Sequence, residues 1–275
     1  MSVGKLRRYT LPFANVVASG WATTNLNIGR TLETLNLKLG GTSLTKAMLS
    51  TIRIKANGKA IFEATGSQCD KLNQYRGEAA DAAFLDIQFA DRTGLTEADR
   101  MVGALDTTAG IMSLSAEIQI AGATAPTLVG ITTESSPQGT NKNLIPASGV
   151  LSKVLRYPFS VATGGQLSIP LPFGGVNGAM IKRIHVEHTG NMTGATVKQD
   201  SFVVHESVKA ENEYEQKRWG RVPQTNLYTL DFVLDGNFAK AMDTRDARTF
   251  EVLPTFSAAD NGFVIVEYLD ALGNL

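Results

Sequence analysis

Phe84-Leu85-Asp86-Ile87-Gln88-Phe89 and Thr229-Leu230-Asp231-Phe232-Val233-Leu234 carry one alternation written twice, and their repetition decides how the chain is read. In each, every second residue is apolar: Leu85, Ile87 and Phe89 in the first, Leu230, Phe232 and Leu234 in the second. Successive side chains of an extended strand point to opposite faces, so each stretch is expected as a strand with one buried face. Ile111–Ile120 (IMSLSAEIQI) alternates in the same way, as do Leu35, Leu37 and Leu39. Within Ile52–Ala64, Asn57-Gly58 separates two strand-like runs, and that pair suits the positive-φ turn of a two-residue hairpin.

Helical signals are few and short. Ser67–Arg76 opens on a capping residue and stops before Gly77, and Ser207–Trp219 stops before Gly220. A third begins at Thr96, with Asp99 placed to complete a capping box. The chain therefore reads as all-β with short helices in the loops.

Setting Asp86 on Asp231 brings further landmarks into line at a nearly constant spacing. Tyr9 falls on Tyr157, Gly77 on Gly220, the insert Thr96–Leu105 near Asn237–Met242, and Glu117 of SAEIQI on Glu267 of IVEYL. The order argues for a duplicated domain: a barrel over 1–130, a linker over 131–150 and a second barrel over 151–275. The Gly- and Pro-containing stretch Ala121–Gly149 is expected to hold little regular structure.

Composition narrows the function classes. The 275 residues are 43% hydrophobic, too apolar for a disordered chain and enough for a sizeable core. The 26 basic residues match the 26 acidic ones, so the basic excess of a nucleic-acid-binding surface is missing. Cys69 is the lone cysteine, which rules out an internal disulfide and a thiolate zinc cluster. No apolar run reaches the roughly 18 residues of a membrane span or follows the N-terminus as a secretory leader, so a soluble protein made in a reducing cytoplasm is expected.

Tyr228–Asn237 (YTLDFVLDGN) followed by Phe263–Leu269 (FVIVEYL), with the hairpin IRIKANGKAI and the run Leu32–Gly41, resembles the double jelly-roll major capsid proteins of tailless, membrane-containing bacteriophages of the corticovirus kind. The resemblance implies two tandem jelly-roll β-sandwich barrels and a structural role in the virion. It implies homotrimers that imitate hexamers and tile an icosahedral shell around an internal membrane, alongside minor capsid and vertex proteins and without specific nucleic acid. Calcium is associated with such coats, yet no EF-hand-like loop is present to receive it. A carbohydrate- or receptor-binding β-sandwich of spike or lectin type is the alternative, with a bicupin-like metalloenzyme behind it.

No residue set carries chemistry. His185 and His188 lie three apart, on opposite faces of a strand, and with His205 are expected as surface or interface residues rather than metal ligands. No Gly-x-Ser-x-Gly elbow, phosphate loop or HExxH helix occurs, so no catalytic, cofactor-binding or metal residues are assigned. Cys69 is expected to be packed, Phe173–Gly178 to be a turn, and Asp86 and Asp231 to lie on polar strand faces. Trp21, Trp219 and Tyr75 read as packing or interface anchors. Lys5, Arg7 and Arg8 form the one basic cluster, a candidate membrane-facing arm worth about 1 kcal/mol per charge beside anionic lipid.

Overall fold

Alternation becomes strand along most of the chain. The structure, a computed structural model, describes residues 4–138, 149–175 and 180–275. Contacts divide it into two units, Met1–Val154 with Ala271–Gly273 and Leu275, and Leu155–Asp270 with Asn274.

The first unit holds β1 (Leu6–Tyr9), β2 (Gly20–Asn25), β3 (Thr31–Ser43), β4 (Leu49–Ala56), β5 (Lys59–Ala64), α1 (Gly66–Tyr75), β6 (Phe84–Gln88), α2 (Glu97–Met101), β7 (Leu105–Asp106), β8 (Leu114–Ile120) and β9 (Thr124–Ser135). One sheet runs β1-β9-β3-β6, with β7 beside β3, and the other β5-β4-β8-β2. Of the predicted inward residues, Leu35, Leu37, Leu39, Leu85, Ile87, Phe89, Leu114, Ala116, Ile118, Ile120 and Leu230 are buried, but Met112 is exposed. Phe232 and Leu234 are half-buried because the strand expected over Thr229–Leu234 ends at Asp231 and turns, which buries Val233 instead. At about 25 cal/mol per Å² of apolar area, removing the first unit's buried residues from water is the main force closing its two sheets.

The second unit repeats that plan with β10 (Val150–Val161), β11 (Gly165–Gln166), β12 (Met180–Glu187), β13 (Met192–Gln199), β14 (Phe202–Val208), α3 (Lys209–Arg218), β15 (Leu227–Asp231), β16 (Met242–Asp243), β17 (Phe250–Phe256) and β18 (Asp260–Ala271). β15, β12 and β18 are neighbours in one sheet, with β16 beside β12, and the other sheet runs β11-β17-β13-β14. Between them lies a core built on Ile184, Val186, Val197, Leu230, Val252, Val264 and Val266. Two four-stranded sheets with this connectivity are a jelly roll, and the chain folds it twice.

Register irregularities repeat along with the strands. The breaks between Leu32 and Thr34, Leu49 and Thr51, and Ile54 and Lys55 recur between Ile181 and Arg183, Met192 and Gly194, and Val197 and Lys198. Bulges bend and twist a strand, so their recurrence fixes the correspondence residue by residue. Thr34 pairs with Gln88 as Arg183 pairs with Asp231, and Asn36 pairs with Asp86 as His185 pairs with Thr229. The expected match of Asp86 to Asp231 is therefore two residues out of register. A shift of two leaves a period-two pattern unchanged, which is why alternation alone could not detect it. Glu117 and Glu267 are also not counterparts, because β8 corresponds to β17 and β18 to β9. The expected linker is corrected as well: Thr124–Ser135 forms β9, the full-length partner of β3. Its threonines and branched residues favour strand more than its Gly and Pro oppose it. The rest of that stretch, 139–148, lies outside the described residues.

Both β-hairpins between matched strands turn on two residues of positive φ. Asn57 and Gly58 lie at 49° and 81°, and Asp200 and Ser201 at 50° and 71°. Glycine accepts that conformation freely, whereas serine is strained there by about 1–2 kcal/mol. A Cβ at Gly58 would meet nothing within 4 Å, so strain is the whole cost of a side chain. We expect Ser201→Gly to raise stability by about 0.5–1 kcal/mol and Gly58→Ser to lower it by about 1 kcal/mol, read from urea midpoints.

Candidate functional site

Charge is buried where the second unit's sheet carries its polar-facing residues. Arg183 and His185 alternate with the core residues Ile184 and Val186 along β12, and both are fully buried. Arg183 donates from Nε to Asp231 Oδ2 and from Nη1 to Glu267 Oε2, each at 2.9 Å. Glu267 Oε1 lies 3.0 Å from His185 Nε2, whose Nδ1 meets Thr229 Oγ1 at 2.8 Å. The bulge at Lys182 brings its ammonium 3.9 Å from Glu267 Oε2 and over the Phe238 ring, and Arg221 Nε lies 3.5 Å from Asp231 Oδ2. From α3, Asn212 and Gln216 both donate to Thr229 O at 2.7 Å. The cluster is buried and held together by internal ion pairs, with Arg221 Nε attracted to Asp231 but not hydrogen-bonded.

The matching places in the first unit are mostly uncharged: Thr34, Asn36 and Gln88. Asp86 stands where Thr229 does, bonded to Asn36, and its carbonyl takes Cys69 Sγ at 3.2 Å and Asn73 Nδ2 at 2.8 Å, as Thr229 O takes the amides of α3. Asp86 fits the expected polar strand face, while Asp231 departs from it by being buried in an ion network. Glu33, at the first unit's bulge, lines a cleft of about 590 Å³ with Lys5, Arg92, Glu97 and Arg100.

The histidines depart from expectation too. His185 and His188 are buried, not on the surface, and His185 meets Thr229 and Glu267 inside the unit. They do occupy different surroundings: His188 Nδ1 accepts the Gly190 N–H at 3.0 Å, away from the Arg183 cluster. His205 is half-buried on β14, with Nε2 2.8 Å from Ser207 Oγ, and burial lowers its pKa toward the neutral ring. Ser207 Oγ in turn meets the Tyr228 hydroxyl at 2.8 Å, so the serine sits in a structural chain with no carboxylate orienting the imidazole. Among the described residues, no group of three or more His, Cys, Asp or Glu side chains is placed to hold a metal ion.

The basic cluster is a strand. Leu6–Tyr9 pairs with Ile131–Glu134 of β9, Arg8 forks onto Glu134 at 3.1 and 2.7 Å, and Lys5 lies 2.9 Å from Glu33. Arg7 is exposed. Phe173 packs at 6.1 Å from Phe250 and Gly174 takes a positive φ, while Val176–Gly178 fall outside the described residues. Tyr75 is a core residue, whereas Trp21 and Trp219 are exposed.

Sequence reasoning did not single out the apolar surface on β14 and α3. Phe202, Val203, Val204 and Val208 are exposed on the strand, and Tyr214, Trp219 and Val222 on and after the helix. Its signal was the break in alternation at Phe202-Val203-Val204, three apolar residues in succession on a strand that alternates elsewhere. An apolar tract of this kind, held outward by a sheet edge, is suited to contact with another protein surface.

Comparison with known proteins agrees with this geometry. The family model described as viral coat protein P2 N-terminal domain matches residues 7–135, and that of the viral coat protein P2 C-terminal domain matches 151–272. A search of curated proteins finds no match. The fold is similar to the major capsid protein P2 of bacteriophage PM2, with TM-score 0.84 and 18% identity over 97% of each chain. It is similar to the major capsid protein of STIV, with TM-score 0.74 and 14% identity over 98% of each chain. The PBCV-1 capsid protein shares the fold at TM-score 0.65 and 9% identity, over 98% of this chain and 94% of the other.

Glu267→Ala removes the acceptor shared by Arg183 and His185, and is expected to cost about 3–5 kcal/mol in chemical denaturation, because it leaves a buried guanidinium undercompensated. Cys69 is buried and its thiol is pushed up to about 12, largely by burial. It should resist maleimide at neutral pH in the native protein and react only on unfolding, as mass spectrometry would read directly.

Proposed function

The chain belongs to the viral coat protein P2 family, and from that premise we propose that three copies associate into a pseudo-hexameric capsomer that tiles an icosahedral shell around an internal membrane. As a viral capsid protein its place is the virion. The observation that carries the trimer is the strand-for-strand and bulge-for-bulge repeat of one jelly roll. Two like units in each of three chains present six like outlines, which pack as a hexagon with few distinct contacts. Its work on this reading is structural: among the described residues the His205–Ser207–Tyr228 chain has no carboxylate hydrogen-bonded to the imidazole to orient it as a base. Minor capsid and vertex proteins complete the partners we propose.

We do not assign the membrane contact to Lys5, Arg7 and Arg8 as a free arm. Lys5 and Arg8 are paired with Glu33 and Glu134, which leaves Arg7 as the exposed charge of the three. One charge supplies about 1 kcal/mol at an anionic surface, too little for anchoring. Among the described residues no three His, Cys, Asp or Glu side chains gather as a metal site, so the calcium that the resemblance implies is given no ligands.

The purified chain of 29.4 kDa is expected to sediment at three times that mass and to form lattices or shells under the electron microscope. A single-chain mass at every salt and calcium concentration would sink the capsomer.

A further inference from the structure

Because the two units repeat strand for strand, the way each treats its sheet edges can be compared. In the first unit β5 is not left open. At the opening of β10, Val154, which belongs to that unit, pairs in parallel with Phe62. Leu151 bridges Gly103, and Ser152 donates to Gly103 O at 2.8 Å. Ile61 and Phe62 are both buried there.

β14 is the counterpart of β5, since the hairpin turn before it and the bulge opposite it fall at matched positions. His205 occupies the place of Phe62. Among the described residues no strand lies on the outer side of β14, which ends its sheet. Phe202, Val203, Val204 and Val208 are 76%, 52%, 42% and 54% exposed there. A long apolar edge with unpaired backbone groups is a template for an added strand.

The repeat also says which strand fits. β5 is closed by the run-in to the second unit's first strand, and its counterpart is the run-in to β1. The buried residues Phe13 and Val161, each preceded at equal distance by Tyr9 and Tyr157, place Leu6 where Val154 stands. β1 likewise ends its sheet. We propose that Gly4–Leu6 of a second copy of this chain pair in parallel with β14, Leu6 beside His205, closing that edge as Val154 closes β5. The pairing rests on the capsomer reading above and names the contact that would hold it together. Charge agrees: Glu206 is exposed on β14, and Arg7 is exposed next to the incoming segment. Head-to-tail contacts of this kind close into a ring when the rotation permits.

The full chain carrying Leu6→Cys and His205→Cys together is oxidised mildly and run on a non-reducing gel. Bands at two and three times the chain mass are expected, with neither single variant giving them. Buried Cys69 adds no background. In parallel, Phe202→Lys with Val204→Lys, both at exposed positions, should keep the native circular dichroism and lose the trimer in sedimentation. If the unaltered chain associates while the double cysteine gives no inter-chain band and the lysine variant associates normally, the β14 pairing is overturned and the capsomer reading stands. If the unaltered chain never associates, both fall.

Discussion

Backbone N–H and C=O groups along a sheet edge have to find partners, and that demand shapes both halves of this molecule. A jelly roll closes its core by facing two sheets, but it leaves outer strands with one side unpaired. Here the ends of β6 and β15 are met by helix side chains, with Cys69 and Asn73 reaching Asp86 O and Asn212 and Gln216 reaching Thr229 O. The β5 edge is met by chain. Among the sheet-ending strands of the described residues, β14 is the one on which exposed Phe202, Val203, Val204 and Val208 gather.

Conserved geometry and divergent chemistry separate cleanly between the units. Bulges, turns and helix stops recur at matched residues, because they set the curvature that lets two sheets wrap one core. Glycine recurs where the helices stop, at Gly77 and Gly220, but the side chains of the residues inserted at the matched bulges do not recur. Glu33 at one bulge faces a cleft, and Lys182 at the other joins a buried ion network. A coat subunit that imitates a hexagon needs two like outlines, and nothing in that need constrains what fills the outward faces.

The strands, the duplication, the Asn57-Gly58 hairpin and the short helices were legible in the sequence, because each leaves a periodic or conformational mark. Helix ends at Gly77 and Gly220 read correctly for the same reason, both having positive φ. Register was not legible, since period-two alternation survives a slip of two. The Asp200-Ser201 turn was missed because serine is an unfavourable residue at positive φ. Buried His185 and the Arg183–Asp231–Glu267 network were invisible because polar alternation on a strand normally means solvent, and only the covering of that face turns it into an interior. The candidate surface on β14 was present as a run of three apolar residues, but a run so short is also what a buried strand looks like.

That same ambiguity confronts the chain as it folds. Slipping β15 by two residues against β12 would keep Tyr228 and Leu230 on the core face, so burial of apolar area barely resists the error. The buried charges do resist it. In the native register Arg183 lies opposite both Asp231 and Glu267, and His185 opposite Thr229. A two-residue slip would set Arg183 or His185 beside a partner unable to answer it, at about 3–5 kcal/mol for a buried charge left uncompensated. Ion pairs of this kind add little net stability over an apolar packing, but they make one register much better than its neighbours. The second unit therefore uses charge to specify what its hydrophobic pattern leaves degenerate, and a correctly registered β12–β15–β18 sheet is what the rest of that jelly roll, β14 included, is built upon.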